Sequence, residues 1–281
     1  MILIDGKATA ATIRSELKLR TARLEEQYGV KVGLAVVLIG NNPASQVYVK
    51  NKIKGCEETG IQSFANYLPE DATQEEAVEL VRALAVEPKV HGILVQLPLP
   101  KHLDAAKILA EIPCEKDVDG FSAENVGKLA LKEKGTVACT PLGVMELLKR
   151  YHIPTAGKRA VVVGRSNIVG KPMALLLLNA DATVTVCHSR TVNLKEECAR
   201  ADILVSAIGK PKFITADMVK KGAVVIDVGM NRDENSKLCG DVDFEAVKEK
   251  AAYLTPVPGG VGPMTIAMLL TNAVEAAERV Q

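Results

Sequence analysis

The chain has 281 residues and a formal net charge of +1, with 48% hydrophobic and 25% charged residues. This length suggests about two domains, and the near-neutral charge argues against nucleic acid or an anionic membrane as a partner. Any acidic ligand must therefore be met by a local basic pocket.

The first part of the chain alternates apolar runs with helical patterns. Three runs are predicted strands: 32–40, 62–68 and 90–97. Two segments between them are predicted helices: 44–58 and 73–86. Thr73 and Glu76 have the spacing of a capping box at the start of the second helix. This βαβαβ order predicts a parallel sheet.

A turn-rich passage leads into a second α/β series. Its first helix is predicted to begin with Thr140 as N-cap and Pro141 at the first helical position. Four Val- and Ile-rich runs are predicted strands: 159–163, 182–187, 202–208 and 223–228. Continuous runs of this kind are typical of parallel strands that are covered on both faces.

These elements predict two α/β lobes. We expect a first domain at 1–120 and a second, Rossmann-like dinucleotide-binding domain at 140–255. A final helix at about 264–279 is expected to pack, with the rest of 264–281, onto the first domain. Because open α/β sheets bind ligands beyond the carboxyl ends of their strands, we expect an active-site cleft between the lobes.

The second lobe has a glycine turn between a strand and a helix. Gly164 ends the strand and Gly170 opens the helix, where free backbone amides can receive a phosphate. The spacing departs from G-x-G-x-x-G, since Ser166 takes the middle position and the next glycine is one residue late. The strand and helix around it support a nucleotide site that the bare motif would not.

The end of the next strand bears on the choice of cofactor. A free ribose 2′-hydroxyl is usually held there by Asp or Glu, but this chain has His188, Ser189 and Arg190. Together with Arg165 in the glycine turn, these residues favour NADP over NAD. The alternative is that Arg190 is an ordinary surface arginine.

The segment SQVYVKNKIKGCEETG (45–60) places three lysines on one predicted helix. On a helical wheel Lys50 and Lys54 lie on the solvent side, whereas Lys52 borders the buried stripe one turn after Tyr48. A partly desolvated lysine favours its neutral amine and can serve as a base near neutral pH. The pattern alone also fits a purely structural lysine. The Tyr-x-x-x-Lys spacing also occurs in short-chain dehydrogenases. In that family the glycine-rich nucleotide turn precedes the Tyr–Lys pair, whereas in this chain the turn follows the pair, so the order argues against that family.

Five segments span nearly the whole chain. They are NNPASQVYVKNK (41–52), GILVQLPLP (92–100), EKDVDGF (115–121), GRSNIVGKP (164–172) and VPGGVGPMT (257–265). In this order they resemble the bifunctional methylenetetrahydrofolate dehydrogenase/methenyltetrahydrofolate cyclohydrolase family. The resemblance implies NADP-dependent oxidation of 5,10-methylenetetrahydrofolate to the methenyl form, followed by hydrolysis to 10-formyltetrahydrofolate.

The resemblance also implies roles for individual residues of the first lobe. Lys52 would be the general base of the hydrolysis, and Tyr48 would orient it and stack on the folate. Gln96 would hydrogen-bond near Lys52, and Asp119 would bind the amino-pyrimidine edge of the pterin. The implied substrate contacts that remain are Leu97, Pro98, Pro258 and Gly259.

In the second lobe the resemblance places cofactor contacts at Gly164, Arg165, Ser166 and Ser189. Met230 stands where the family more often has Ile or Thr, at a backbone contact that should tolerate the change. The family is dimeric through this domain, so we expect a homodimer.

Cysteines and termini suggest a location. The six cysteines form no C-x-x-C pair and have no zinc-ligand spacing with histidine, so we expect reduced thiols and no metal site. The first residues show no targeting signal, and no apolar run reaches the length of a membrane span, so we expect a cytoplasmic protein.

Two other functions fit parts of the sequence. A shikimate dehydrogenase-like enzyme would share the two-lobe fold, with a Lys–Asp pair handling a hydroxyl proton, but the QLPLP and PGGVGP stretches argue against it. A catalytically silent NADP-binding sensor would bind the cofactor without folate turnover. The combination of Tyr48, Lys52, Gln96 and Asp119 argues against that reading.

Overall fold

The computed structural model describes residues 1–280 and divides into two compact units. The first unit contains residues 11–128, 133–137 and the chain from 266 onward, and the second unit contains residues 1–10, 129–132 and 138–265. The fold class was predicted correctly as two-domain α/β. The opening residues belong to the second unit, which the sequence pattern did not indicate.

Eleven strands and ten α-helices form within the described residues. The strands are β1 (Ile2–Leu3), β2 (Gly33–Ile39), β3 (Gln62–Leu68), β4 (Gly92–Val95), β5 (Arg159–Val163), β6 (Thr183–Cys187), β7 (Ile203–Ser206), β8 (Val224–Asp227), β9 (Asn231–Arg232), β10 (Leu238–Cys239) and β11 (Tyr253–Leu254). The helices are α1 (Gly6–Tyr28), α2 (Pro43–Thr59), α3 (Gln74–Val86), α4 (Ala105–Leu109), α5 (Ala123–Ala130), α6 (Cys139–Arg150), α7 (Gly170–Asn179), α8 (Leu194–Ala199), α9 (Phe244–Val247) and α10 (Val261–Glu278). The seven predicted strands lie within two residues of the observed bounds.

The first unit contains a three-stranded parallel sheet with strand order β3-β2-β4. All residues of the central strand β2 are buried. Helix α2 is fixed at both ends: the Asn42 side chain accepts a hydrogen bond from Ser45 N at 3.1 Å, and Gly60 terminates the helix with φ 74°. The predicted capping box of α3 is confirmed, with Thr73 and Glu76 bonded reciprocally.

The second unit contains a six-stranded sheet with order β1-β11-β8-β7-β5-β6, in which all neighbouring strands are parallel. The two N-terminal residues of β1 extend this sheet by pairing with β11. Residues of β7 and β8 are buried throughout. The carboxyl ends of β5, β7 and β8 therefore lie at one edge of a covered sheet, where ligands bind in open α/β folds.

Three local features differ from the predictions. Helix α1 was not predicted, although Ile13, Leu17 and Leu24 form its buried stripe. Thr140 is not an N-cap, because α6 already begins at Cys139 and the Thr140 hydroxyl lies 2.9 Å from that of Thr265. Helix α10 begins at Val261 rather than at 264. Pro263 falls in its first turn, where a proline is tolerated. No helix within residues 1–280 has the length and apolar character to cross a membrane.

Candidate active site

Lys52 and Gln96 are in direct contact in the first unit. The Lys52 Nζ donates a hydrogen bond to Gln96 Oε1 at 2.8 Å, and the Gln96 Nε2 donates to the carbonyl of Leu97 at 2.6 Å. The amide is thus oriented with its oxygen towards the lysine. Lys52 comes from the middle of α2 and Gln96 follows directly on β4, so a helix and a strand end fix the pair.

The environment of Lys52 agrees with the helical wheel. Val49 and Cys56 are buried and Lys52 is partly buried, whereas Lys50 and Lys54 are exposed. Burial raises the pKa of the Cys56 thiol to about 12, so this cysteine is an inert core residue. Tyr48, one turn before Lys52, is 39% exposed and presents its ring at the surface of α2.

Asp119 lies in the electrostatic field of Lys52. Burial raises the pKa of the Asp119 carboxyl to about 7, Lys52 acts to lower it, and the neighbouring Asp117 acts to raise it. The predicted lysine and the predicted pterin-binding carboxylate are therefore brought together. At neutral pH the carboxyl is divided between its neutral and ionised forms.

The loop that carries Asp119 is held by a residue that the sequence analysis missed. The buried Asp117 carboxylate accepts hydrogen bonds from Gly120 N at 3.0 Å, Ser122 N at 2.8 Å and Asn125 Nδ2 at 3.0 Å. Asp117 thus stabilises the turn through its side chain, and the sequence alone also allowed this role for Asp119, which directly precedes Gly120. Since Asp117 performs it, the Asp119 carboxyl need not serve the turn.

Asn272 of α10 adds a second anchor to this loop. Its buried side-chain amide donates to the carbonyl of Val118 at 2.9 Å and to that of Val137 at 3.0 Å. Gly92 lets the loop approach β4, because a Cβ there would lie 2.3 Å from Val118 Cγ1. No local sequence signal marks Asn272, since its partner Val118 is 154 residues away.

Leu97 and Pro98 continue from Gln96 along the edge of the first unit. Leu97 is partly buried and Pro98 is exposed. Pro98 also lines a cavity of about 460 Å³, together with Asn41, Asn42, Glu70 and residues 99–102. The lining does not include Lys52 or Asp119.

The glycine turn of the second unit is closely packed. Gly164 has φ 125°, and a Cβ there would lie 2.3 Å from the carbonyl oxygen of Ala207. A Cβ on Gly170 would lie 2.2 Å from the carbonyl oxygen of Gly164. Both positions are buried and therefore require glycine, because the neighbouring backbone leaves no room for a side chain.

The amides at the start of α7 are not free, so that expectation was wrong. Ser166 Oγ accepts hydrogen bonds from Val169 N at 3.2 Å and Gly170 N at 3.3 Å, and the Ser166 carbonyl accepts from Lys171 N at 3.0 Å. Ser166 lies close enough in sequence to cap these donors itself. The exposed side chain of Arg165 remains available at this turn, and the Ser166 hydroxyl can still donate its proton.

Ser189 and Arg190 follow the carboxyl end of β6. A tight turn places both at the surface: His188 N donates to Thr191 Oγ1 at 2.8 Å, and Arg190 N donates to His188 Nδ1 at 3.2 Å. No carboxylate lies within residues 188–192. The turn thus presents a hydroxyl and a guanidinium where NAD-specific proteins place an acid.

Three more predicted contacts belong to the second unit. Met230 is 52% exposed. Pro258 is exposed, and Gly259 has φ 103° and accepts a hydrogen bond from Lys7 N at 2.9 Å. The structure thus groups the predicted catalytic residues in the first unit. It places Pro258 and Gly259 in the second unit with the predicted cofactor residues.

Comparison with known families matches both parts of the chain. Residues 4–119 match the model described as tetrahydrofolate dehydrogenase/cyclohydrolase, catalytic domain. Residues 138–281 match the model described as tetrahydrofolate dehydrogenase/cyclohydrolase, NAD(P)-binding domain. The two matches cover nearly the whole sequence.

Individual relatives agree with these matches. The bifunctional protein FolD of Nitrosospira multiformis is 58% identical over 277 residues, which cover 99% of this chain and 96% of that protein. The crystal structure of the bifunctional FolD methylenetetrahydrofolate dehydrogenase/cyclohydrolase of Campylobacter jejuni is 53% identical, with a TM-score of 0.98 and full coverage of both chains. FolD of Trypanosoma brucei, solved with NADP cofactor and an inhibitor, is 42% identical with a TM-score of 0.95, covering 100% of this chain and 98% of that one.

Proposed function

This chain belongs to the tetrahydrofolate dehydrogenase/cyclohydrolase family, and from that premise we propose that Lys52 is the general base of its cyclohydrolase reaction. The chain is a bifunctional enzyme that acts on methylenetetrahydrofolate. Its dehydrogenase activity oxidises 5,10-methylenetetrahydrofolate to the methenyl form. Its cyclohydrolase activity adds water to the methenyl carbon and opens the ring to give 10-formyltetrahydrofolate.

One observation carries the role of Lys52: its Nζ lies 2.8 Å from Gln96 Oε1 in a partly buried position. A neutral amide oxygen orients the amine without adding the negative charge that would favour the ammonium form. A lysine so held can accept a proton from water as the water attacks the methenyl carbon. The bond between this carbon and the ring nitrogen then breaks, the ring nitrogen takes one proton, and the remaining hydroxyl proton is released as the formyl group forms.

Asp119 and Tyr48 are proposed to hold the folate. The Asp119 carboxylate can accept two hydrogen bonds from the amino-pyrimidine edge of the pterin, and its coupling to Lys52 supports a common site. The exposed Tyr48 ring offers a stacking surface. Leu97, Pro98, Pro258 and Gly259 are proposed as further substrate contacts.

The cofactor is NADP, which accepts the hydride from the one-carbon bridge when bound. The residues of the second unit fit it. Gly164 and Gly170 let the turn pack closely against the neighbouring backbone, and Arg165, Ser166, Ser189 and Arg190 are exposed around the same strand ends. We propose that Ser189 and Arg190 bind the 2′-phosphate, since a guanidinium pairs strongly with phosphate. Met230 is proposed to contact the cofactor through its backbone.

A cytoplasmic location and a homodimer formed through the second unit are further parts of the proposal. All six cysteines are free thiols, as suits a reducing compartment. Light scattering of the purified protein measures the assembly directly. A mass near that of one chain at micromolar concentration would contradict the dimer.

The test of Lys52 compares Lys52→Met with Lys50→Met, a matched change at an exposed position of the same helix. We expect Lys52→Met to reduce cyclohydrolase activity by at least about a hundredfold and to retain measurable NADP-dependent dehydrogenase activity. Lys50→Met should resemble the wild type in both assays. Equal loss of both activities in folded Lys52→Met protein would contradict a special role for this amine.

A further inference from the structure

Two buried carboxylates in the second unit have no role in the site described above. Asp227 ends β8 and is 3% exposed, and Asp241 follows β10 and is fully buried. A buried carboxylate is costly unless hydrogen bonds stabilise it. Their hydrogen-bond donors therefore indicate what these two residues do.

Asp241 joins two loops of the sheet edge. One of its oxygens accepts from Ile208 N at 2.8 Å and Ser206 Oγ at 3.1 Å. The other accepts from Lys210 N at 2.9 Å and Asn231 Nδ2 at 2.9 Å. A single carboxylate thus fastens the loop that follows β7 to the loop that follows β8.

Asp227 holds Asp241 in place. Its carboxylate accepts from the backbone amides of Gly229, Asp241 and Val242, each at 2.9 Å. The packing is tight enough to exclude side chains at two glycines. A Cβ on Gly240 would lie 1.8 Å from Asp227 Oδ2, and a Cβ on Gly229 would lie 2.2 Å from Asp241 Oδ1.

Both fastened loops lie at the edge that carries the predicted cofactor residues. The first loop begins at Ala207, whose carbonyl oxygen approaches Gly164 and whose N–H donates to Val163 O at 2.8 Å. The second loop contains Met230, between the anchored residues Gly229 and Asn231. The carboxyl ends of parallel strands are where α/β sheets bind ligands.

We propose that Asp241, supported by Asp227, is a positioning residue for NADP binding, an inference that rests on the NADP-dependent function proposed above. It acts through the loops at 207–210 and 229–231. By holding four donors at once, it fixes the backbone that the cofactor meets. No such anchor is needed for the cyclohydrolase chemistry, which uses no nucleotide.

Asp241→Asn is a sharp test because the two side chains have nearly the same shape. The asparagine has one acceptor oxygen, so two of the four donors would face an NH₂ group instead of an acceptor. Whichever way the amide turns, part of the connection between the loops is lost. Ser206→Ala is a milder variant that removes one donor, and Asp243→Asn is a matched control that alters only the cap of α9.

The experiment measures the Kd of NADP⁺ by calorimetry and the cyclohydrolase rate without nucleotide. Leaving buried donors unpaired should weaken NADP⁺ binding by about tenfold to a hundredfold in Asp241→Asn, and by about twofold to fivefold in Ser206→Ala. In both variants the cyclohydrolase rate should stay within about twofold of the wild type. The KM for NADP⁺ should rise more than kcat falls, and Asp243→Asn should leave every value unchanged.

A wild-type Kd in folded Asp241→Asn would overturn the proposal. Parallel loss of both activities with unchanged NADP⁺ affinity would also overturn it, because that is the effect of simple destabilisation. If Asp241→Asn does not fold, Ser206→Ala decides, and an unchanged Kd would refute the proposal. Absence of NADP⁺ binding by the wild type would instead refute the proposed cofactor, and the inference with it.

Discussion

The two units place their polar groups differently at comparable sheet edges. In the first unit, Lys52, Gln96 and Asp119 are partly buried, and Lys52 interacts with both of the others. In the second unit, Arg165 and Arg190 are exposed, and a separate buried network is centred on Asp227 and Asp241. The reactive groups of the first unit are influenced directly by their neighbours, whereas in the second unit buried carboxylates hold the loops at 207–210 and 229–231 that are proposed to meet the cofactor.

This difference separates the expected effects of substitution. Changes among the interacting side chains of the first unit should alter rates and pH profiles. Changes in the second unit should alter cofactor affinity while the nucleotide-independent reaction continues. Two substitutions test this separation and two more test how single groups of the first unit make stability depend on pH; the four follow from the largest expected effect to the smallest.

Gln96→Glu should have the largest effect on rate. A carboxylate 2.8 Å from the Lys52 nitrogen would favour the ammonium form. We expect cyclohydrolase activity near neutral pH to fall by about tenfold to a hundredfold and to recover partly at higher pH. The measurement is the pH dependence of kcat/KM. Gln62→Glu, at an exposed position of β3, is the control, and a profile unchanged from wild type in Gln96→Glu would contradict the pairing.

Arg190→Asp should separate the two nicotinamide cofactors. Reversing the charge at this exposed turn places a carboxylate where the 2′-phosphate is proposed to bind, so NADP⁺ affinity should fall at least about tenfold. NAD⁺ lacks that phosphate and should bind with little change. Titration of one protein preparation with both cofactors measures this. Similar weakening of the two would exclude the 2′-phosphate contact.

Asp119→Asn should stabilise the protein at alkaline pH. Because burial raises the pKa of Asp119 to about 7, the stability of the folded state is highest below the unfolded pKa of about 4 and falls as the pH rises from there through about 7. We expect the substitution to raise Tm by about 2–4 °C near pH 8 and to have little effect near pH 4. Thermal unfolding at both pH values tests this. Asp71→Asn, at an exposed position, should show no such difference.

His91 should show a smaller pH effect of opposite sign. Its Nδ1 accepts a hydrogen bond from Gly33 N at 3.0 Å, and burial, followed by the nearby Lys116, lowers its pKa. Its contribution is therefore present above the unfolded pKa of about 6.5 and lost as the pH falls. Between about pH 8 and pH 5 the wild type should lose stability that His91→Asn does not lose. Urea unfolding at the two pH values measures the difference, and equal losses would contradict it.

The sequence predicted those features whose cause is local. Strand β2 is a continuous apolar run, the capping box at Thr73 spans one helical turn, and Lys52 was placed by helical periodicity. The features that were missed depend on distant partners. Asn272 meets Val118 across 154 residues and Asp241 meets Ser206 across 35, and the short β1 is a strand only because β11 pairs with it. No spacing rule marks such contacts, and the same limit hid the roles of Asp117 and Asp227.

The most direct test of the central claim is a single progress curve with methylenetetrahydrofolate and NADP⁺. It records NADPH formation and methenyl absorbance together in Lys52→Met. If Lys52 is the general base, NADPH should form while the methenyl compound accumulates in nearly equal amount, whereas the wild type should accumulate little. Slow NADPH formation with no methenyl accumulation beyond that of the wild type would contradict the assignment of Lys52 to the hydrolytic step.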